Sequence, residues 1–265
     1  FLRLTGLRGK RIGIPRALYY DAITLPGGTS ASGGINAAQR AVMDDVIAVL
    51  KAQGAVVVDP ANIPSVLDQN PNNNNAVIGT CVGFKAADVN CSTVFKYGFK
   101  RDFAAYLASL GPTAPVKSLT ELRQFNTANA SQNAIRYRQD LLDTSDEMNL
   151  TTDLSRYTLD RARDIFLADA HGIREAMTVN NLDALLFPGS SSAGIAARAG
   201  FPTIGVPFGF IPNAPTPAFP AGFNAKDQPY GVGFTGIECS EPKLLEIAYA
   251  FEQATKRRVP PPFTP

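Results

Sequence analysis

The sequence predicts an α/β fold, on three observations. Near the start, Arg11 to Ile14 is a short strand stopped by Pro15, Ala37 to Gln53 repeats apolar residues at helical spacing, and Ala55 to Val58 is a β-branched run stopped by Asp59-Pro60. Strand, helix, strand in that order indicates a βαβ unit and parallel pairing. Further on, DALLFPGS from Asp183 and AGFPTIGVPFGF from Ala199 each read as a short apolar strand entering a Gly/Pro-rich loop. Last, PYGVGFTGIECSEPKLLEIAYAFEQAT from Pro229 reads as a strand followed by a capped amphipathic helix.

The first helix carries its apolar stripe at Ala41, Val42, Val46, Val49 and Leu50, and Gly54 closes it. Asn70-Pro71-Asn72-Asn73-Asn74-Asn75 is a polar turn tract, too short for a linker between domains. Ser118-Leu-Thr-Glu121 and Thr144-Ser-Asp-Glu147 both fit the capping box, the second reading equally as the end of the preceding helix. From Leu159, apolar residues at Ala162, Phe166, Ala170, Ile173 and Met177 predict one long helix with that face inward, ended by Asn180-Asn181. In the last helix, Pro242 to Lys256, Ser240 is placed as N-cap with Pro242 in the first turn. Its face of Leu244, Leu245, Ala248, Tyr249 and Phe251 is expected to pack on the strand containing Val232, Phe234 and Ile237. There is no internal repeat, and residues 1–265 read as one domain without an internal boundary.

Composition bounds function. The chain has 265 residues, 45% apolar and 18% charged, an ordinary globular balance able to bury a sizeable core. Net charge is +2, and the one basic run, Lys256-Arg257-Arg258, complements a helix C-terminus, so a nucleic-acid footprint is not supported. No apolar run approaches the roughly 18 residues of a membrane span, and no charged start with an apolar core marks a signal peptide. The three cysteines, Cys81, Cys91 and Cys239, form no Cys-x-x-Cys pair and share the chain with one histidine, so no protein-made zinc or other metal site is expected. Cys81 and Cys91 are either bridged, if the intervening VGFKAADVN turns back, or two free thiols.

Several motif-like segments have plainer readings. Gly231-Val-Gly233-Phe-Thr-Gly236 has the spacing of a dinucleotide loop, but its glycines alternate inside a strand, which suits close strand packing rather than a cofactor. Ser240-Glu-Pro-Lys243 has the S-x-x-K spacing of serine acyltransferases, and a helix start accounts for the same residues. Gly189-Ser190-Ser191-Ser192-Ala193-Gly194 misses the G-x-S-x-G elbow at Ala193. Its position at the carboxyl end of an apolar strand suits either a substrate-wall loop or a plain strand-to-helix connection with a serine cap. His171 sits mid-helix with no serine signature to serve, and reads as a solvated or hydrogen-bonded helix residue. Gly27-Gly28-Thr29-Ser30-Ala31-Ser32-Gly33-Gly34 reads as a flexible surface loop followed by the long helix.

The order of these segments, with Phe1 to Arg16 at the start and DALLFPGS, AGFPTIGVPFGF and the closing strand and helix at the end, resembles the second half of an amidase-signature enzyme. The likeness is strongest at Leu7 to Arg16, Val42 to Asp59 and Asp183 onward. Phe99 to Leu107, Ser118 to Asn126 and Tyr137 to Leu142 look like the helical region of peptide-amidase-like members. The Gly27–Gly34 loop differs from that family's serine loop, because its only upstream lysine is Lys10 and a long amphipathic helix follows it.

The resemblance implies a mixed, mostly parallel central sheet covered by helices, with residues 1–265 as the C-terminal half of one such domain. It also implies hydrolysis of carbon–nitrogen amide bonds by a serine nucleophile, a second serine and a lysine, none of them in this chain, with no metal or organic cofactor. By position, Phe187, Gly189, Ser190, Ser191, Phe208 and Phe210 are the substrate-pocket candidates. The implied partners are a small-molecule or peptide amide and the N-terminal half of the same enzyme. If that half covers the sheet, Leu185 to Phe187 and Thr203 to Val206 are left facing an uncovered surface, and the chain is expected either to associate with it or with another copy, or else to come from a longer polypeptide. The alternative is a non-catalytic fragment or scaffold subunit sharing only the fold.

Overall fold

A computed structural model describes residues 1–215 and 217–260. Contacts group the chain into two compact units, Phe1–Asn75 with Phe166–Pro265, and Ala76–Ile165. No linker or change of composition marks that division in the sequence, and the boundaries fall beside a turn tract and inside a helix.

The first unit starts with β1 (Arg11–Gly13), a tight turn α1 (Arg16–Tyr19), the pair β2 (Ile23–Thr24) and β3 (Ala31–Ser32), α2 (Ala37–Ala52), β4 (Val56–Val58) and α3 (Pro64–Leu67). The second unit contains β5 (Gly79–Thr80), β6 (Cys91–Ser92), α4 (Val94–Ser109), α5 (Leu119–Ala128), α6 (Asp140–Asp146) and most of α7 (Leu154–Ala168). The chain then completes the first unit with α8 (Arg174–Val179), β7 (Ala184–Pro188), α9 (Ala193–Ala199), β8 (Thr203–Ile211), β9 (Gln228–Thr235) and α10 (Glu241–Thr255).

The main sheet has the order β4-β1-β7-β9-β8. β1 pairs parallel with β4 and β7, while β9 runs antiparallel to both β7 and β8. Four strands therefore point one way and only β9 is reversed, which is the mixed, mostly parallel sheet expected. All five residues of β7 are buried. Because alternate strand residues face opposite sides, this requires helical cover on both faces. Leu185 to Phe187 are thus not left bare as expected, whereas β8, at one of the two sheet edges, exposes Thr203, Gly205, Pro207 and Phe210.

α2 starts where a capping box closes it: Asn36 Oδ1 accepts from the Gln39 N–H at 2.9 Å and Gln39 Oε1 accepts from the Asn36 N–H at 2.9 Å. Met43, Val46, Ile47 and Leu50 form its buried face. α10 buries Leu244, Ile247, Ala248, Ala250 and Phe251, but Leu245 is 43% exposed, at the rim of the face rather than within it. Ser240 precedes the helix as expected, yet its hydroxyl donates back to the Ile237 carbonyl at 2.6 Å instead of capping.

The long helix expected from Leu159 to Met177 is broken. Residues Asp169–Ile173 form a wide turn in which Arg174 N–H bonds to Asp169 O, and Gly172 takes φ −128° and ψ −122°. Before the break the expected face is turned outward: Leu159, Ala162 and Phe166 are exposed, as is Ala170 in the turn itself, and Asp160, Asp164, Leu167 and Ala168 are buried. Only Ile173 and Met177 of the expected stripe are inside.

The second unit is held largely by charge pairs around few apolar side chains. Asp160 accepts from Thr93 N–H at 2.9 Å and pairs with Arg156 and Arg163, and Asp164 accepts from the Ser92 hydroxyl at 2.7 Å. Cys81 and Cys91 are bridged, resolving the sequence alternative, while Cys239 is free and exposed. Ser118 caps α5 through the Glu121 N–H at 3.1 Å, and Thr144 to Glu147 is the end of α6 rather than a start.

Burial acts to raise the carboxyls of Asp146 and Asp153, but Arg123, Thr120 and Lys100 around the first, and Lys85 and the Asn149 N–H around the second, hold both below their ordinary value. A carboxyl held low in the folded state contributes stability that is complete above its unfolded value, about 4, and is lost as pH falls through the folded value. Urea unfolding between pH 7 and pH 3 is therefore expected to show stability dropping below about pH 4. The slope in that window is expected to shrink in Asp146→Asn, and a flat profile would dismiss the network as a source of stability.

Candidate functional site

The first unit carries an open cleft of about 870 Å³ at the carboxyl end of β7. Its floor is the turn after Pro188. Gly189 adopts φ 56° there, its N–H bonds to Gly231 O at 3.0 Å, and the Ser191 N–H bonds back to Pro188 O at 3.2 Å. A Cβ at Gly189 would only touch the Tyr230 ring, at 3.5 Å, so it is the left-handed turn that calls for glycine here.

One wall comes from far earlier in the chain. Leu18, Tyr19, Gly33, Gly34, Ile35 and Gln39 line it. Leu18 holds φ 71° and ψ −39°, a strained conformation for a branched side chain, fixed by its N–H to Asp21 O at 2.8 Å and by the Gly34 N–H to its carbonyl at 2.6 Å. A Cβ on Gly33 would lie 2.2 Å from Leu18 O, so only glycine passes there. The Gly27–Gly34 segment is thus the turn and second strand of the β2–β3 hairpin, packed on the cleft, and not a flexible loop. The opposite wall is Gly205 to Pro207 of β8 and Pro229 to Val232 of β9.

Every described residue lining the cleft is uncharged. Burial pushes the Tyr230 phenol up to about 12 and raises the Tyr19 phenol as well, so both stay protonated at neutral pH. The hydroxyls of Ser190, Ser191 and Tyr230 can orient a neutral polar group between apolar walls, and among the described lining residues none is a base able to take a proton from a serine.

Of the six candidates from sequence, Gly189, Ser190 and Ser191 line the cleft. Phe187 lies beneath it, fully buried, with its ring 4.8 Å from Tyr19 in an edge arrangement, and so supports a wall residue. Phe208 is buried against Phe251 at 5.5 Å. Phe210 is 47% exposed away from the cleft. Leu18, Tyr19, Ile35, Gln39 and Tyr230 line the cleft with no local signal in the sequence beyond the Gly33-Gly34 pair.

The remaining motif-like segments have structural roles. Gly231 sits inside β9, where a Cβ would lie 2.7 Å from Val206 O. Lys243 pairs with Asp183 at 2.9 Å rather than with Ser240. His171 places Nδ1 3.0 Å from Glu175 and Nε2 3.0 Å from Asp68, a hydrogen-bonded histidine as expected but in the wide turn.

No family model matches the chain. It is 29% identical over 264 residues to a probable amidase of Arabidopsis thaliana, covering 99% of this chain and 41% of that protein. It is also 24% identical over 267 residues to a putative amidase of Arthroderma benhamiae, covering 96% and 39%. Among solved structures, the native peptide amidase of Stenotrophomonas maltophilia is similar at 29% identity and TM-score 0.69, covering 99% of this chain and 46% of that one. A peptide amidase complexed with the competitive inhibitor chymostatin is similar at 28% and 0.71, covering 99% and 47%. The chain shares the fold of these amidases over nearly its whole length, and it spans less than half the length of each.

Proposed function

We propose that residues 1–265 are part of a serine amidase, a hydrolase of carbon–nitrogen amide bonds, and supply one wall of its acyl-substrate cleft. The nucleophilic serine, the bridging serine and the lysine come from another segment. The observation that carries this reading is the cleft: an uncharged, hydroxyl-bearing pocket at the carboxyl end of a central strand, in a chain that shares its fold with peptide amidases.

In such a site Ser190, Ser191 and the protonated Tyr230 hydrogen-bond a neutral amide, and Leu18, Tyr19 and Ile35 exclude water from its apolar side. Attack on the carbonyl, proton relay through serine and lysine, and charge stabilisation on the oxygen are left to the complementary segment. That segment is the proposed partner. β8, which among the described residues pairs only with β9, offers it a strand edge.

The purified 265-residue chain is expected to turn over neither peptide amides nor aryl amides. Loss of a nucleophile with its base typically removes on the order of a million-fold in rate. Co-expression with an amidase segment carrying the two serines and the lysine is expected to restore turnover and to co-sediment with the chain. Turnover by the chain alone, abolished by Ser30→Ala or Ser32→Ala, would return the nucleophile to the β2–β3 hairpin. A monodisperse monomer that ignores the added segment would favour the scaffold reading.

A further inference from the structure

We propose that Asn149 is an N-glycosylation site, and that the protein is made in an oxidising compartment where an oligosaccharyl donor is present. The inference is independent of the amidase reading. The sequence contains three Asn-x-Ser/Thr acceptors, Asn90-Cys91-Ser92, Asn129-Ala130-Ser131 and Asn149-Leu150-Thr151. All three fall in the unit of residues 76–165, and no asparagine of the other unit heads one.

Asn149 is the best placed of the three. It is exposed, in the stretch joining α6 to α7. Its Oδ1 accepts from the Thr151 and Thr152 N–H groups, each at 2.9 Å. This ties down the carbonyl oxygen and leaves Nδ2 with no acceptor among the described residues, so a bulky substituent there displaces no hydrogen bond. Thr151 is exposed as well. The other two sites are more encumbered. Asn129 already donates Nδ2 to Phe125 O at 2.9 Å, closing α5, and Asn90 is followed by a bridged cysteine and by Ser92, 2% exposed and bonded to Asp164.

The second, separate observation is the Cys81–Cys91 bridge in the same unit. Bridges of this kind persist where thiols are oxidised, and the secretory route supplies both that condition and glycan transfer. In the transfer, Asn149 Nδ2 attacks the anomeric carbon of a polyprenyl-diphosphate-linked oligosaccharide. A carbon–nitrogen bond forms, the bond from that carbon to the diphosphate oxygen breaks, the polyprenyl diphosphate leaves, and one amide proton passes to a base of the transferase.

The test uses the protein isolated from the organism that makes it. Peptide-N-glycosidase digestion in heavy-oxygen water converts a glycosylated asparagine to labelled aspartate, and the label is expected at Asn149. In the native host Thr151→Ala is expected to lose the modification and Thr151→Ser to keep it, which separates acceptor chemistry from the turn that Asn149 itself makes. A native peptide with unmodified Asn149, label only at Asn90 or Asn129, or free thiols at Cys81 and Cys91 in the native protein would each overturn the proposal.

Discussion

Lys96→Ala is expected to cost about 3–5 kcal/mol of stability, the penalty for leaving one partner of a buried ion pair uncompensated. The Lys96 side chain is 0% exposed and that of Asp88 is 7% exposed, with Nζ 2.6 Å from Asp88 Oδ2 and 3.0 Å from Gly83 O. Among the described residues Asp88 Oδ1 has no partner, so removing the ammonium leaves a desolvated carboxylate without its cation. Gly83 and Asp88 both belong to the loop closed by Cys81 and Cys91, which makes Lys96 its inner anchor and the disulfide its outer one. Opening a loop of this length adds about 3 kcal/mol on the chain-entropy account. Urea unfolding with hydrogen exchange read over residues 76–165 measures both effects. A companion variant, Lys96→Met with Asp88→Leu, is expected to recover most of the loss, because an apolar pair needs no compensation. A cost under about 1 kcal/mol for Lys96→Ala would mean that water reaches the pair.

The elements legible in the sequence are those whose inner faces are apolar. β1, α2 and β4 follow from β-branched and period-matched residues ended by Pro15, Gly54 and Asp59-Pro60, and β7, β8, β9 and α10 likewise. α7 misled for the opposite reason. Its inner face presents Asp160 and Asp164, which meet Thr93 and Ser92, so Leu159, Ala162 and Phe166 point outward and that apolar stripe marks the wrong side. The wide turn at Asp169–Ile173 then resets the phase, and this is why Ile173 and Met177 are nevertheless inside.

The site was half legible. A Gly/Ser turn after an apolar strand points to a crevice, and Gly189, Ser190 and Ser191 line one. The phenylalanines did not follow, because strand parity decides which way each faces. On β8, Val206 and Phe208 point inward, and a register shift between Pro207 and Gly209 then turns Phe210 out and Ile211 in. The wall made by Leu18, Tyr19 and Ile35 depends on a hairpin that packs back across more than a hundred residues of sequence. No local pattern announces that contact, and the strained backbone at Leu18 is visible only once Gly33 and Gly34 are seen against it.

Phe251→Ala is expected to destabilise the chain by about 3–5 kcal/mol, through lost burial plus the cavity left behind. The ring is fully buried on α10, with Phe208 of β8 at 5.5 Å in a stacked arrangement and Phe234 of β9 at 5.6 Å edge-on. Three rings from three elements therefore share one contact, and neither strand can move in to fill the space without breaking its ladder to the other. Leu245→Ala on the same helix is the internal control. At 43% exposure it lines only a shallow groove with Leu2, Ile204 and Tyr249, so its cost should be roughly 1 kcal/mol or less. Reversible denaturant unfolding of both variants measures the difference directly. Equal costs at the two positions would mean that α10 is rotated on the sheet. A small cost at Phe251 would mean that the strand pair β8–β9, which forms the far wall of the cleft, does not depend on the helix beneath it. In the arrangement described, Phe251→Ala should also loosen that wall, read as faster amide exchange at Val206 and Val232, whereas Leu245→Ala should leave those amides protected.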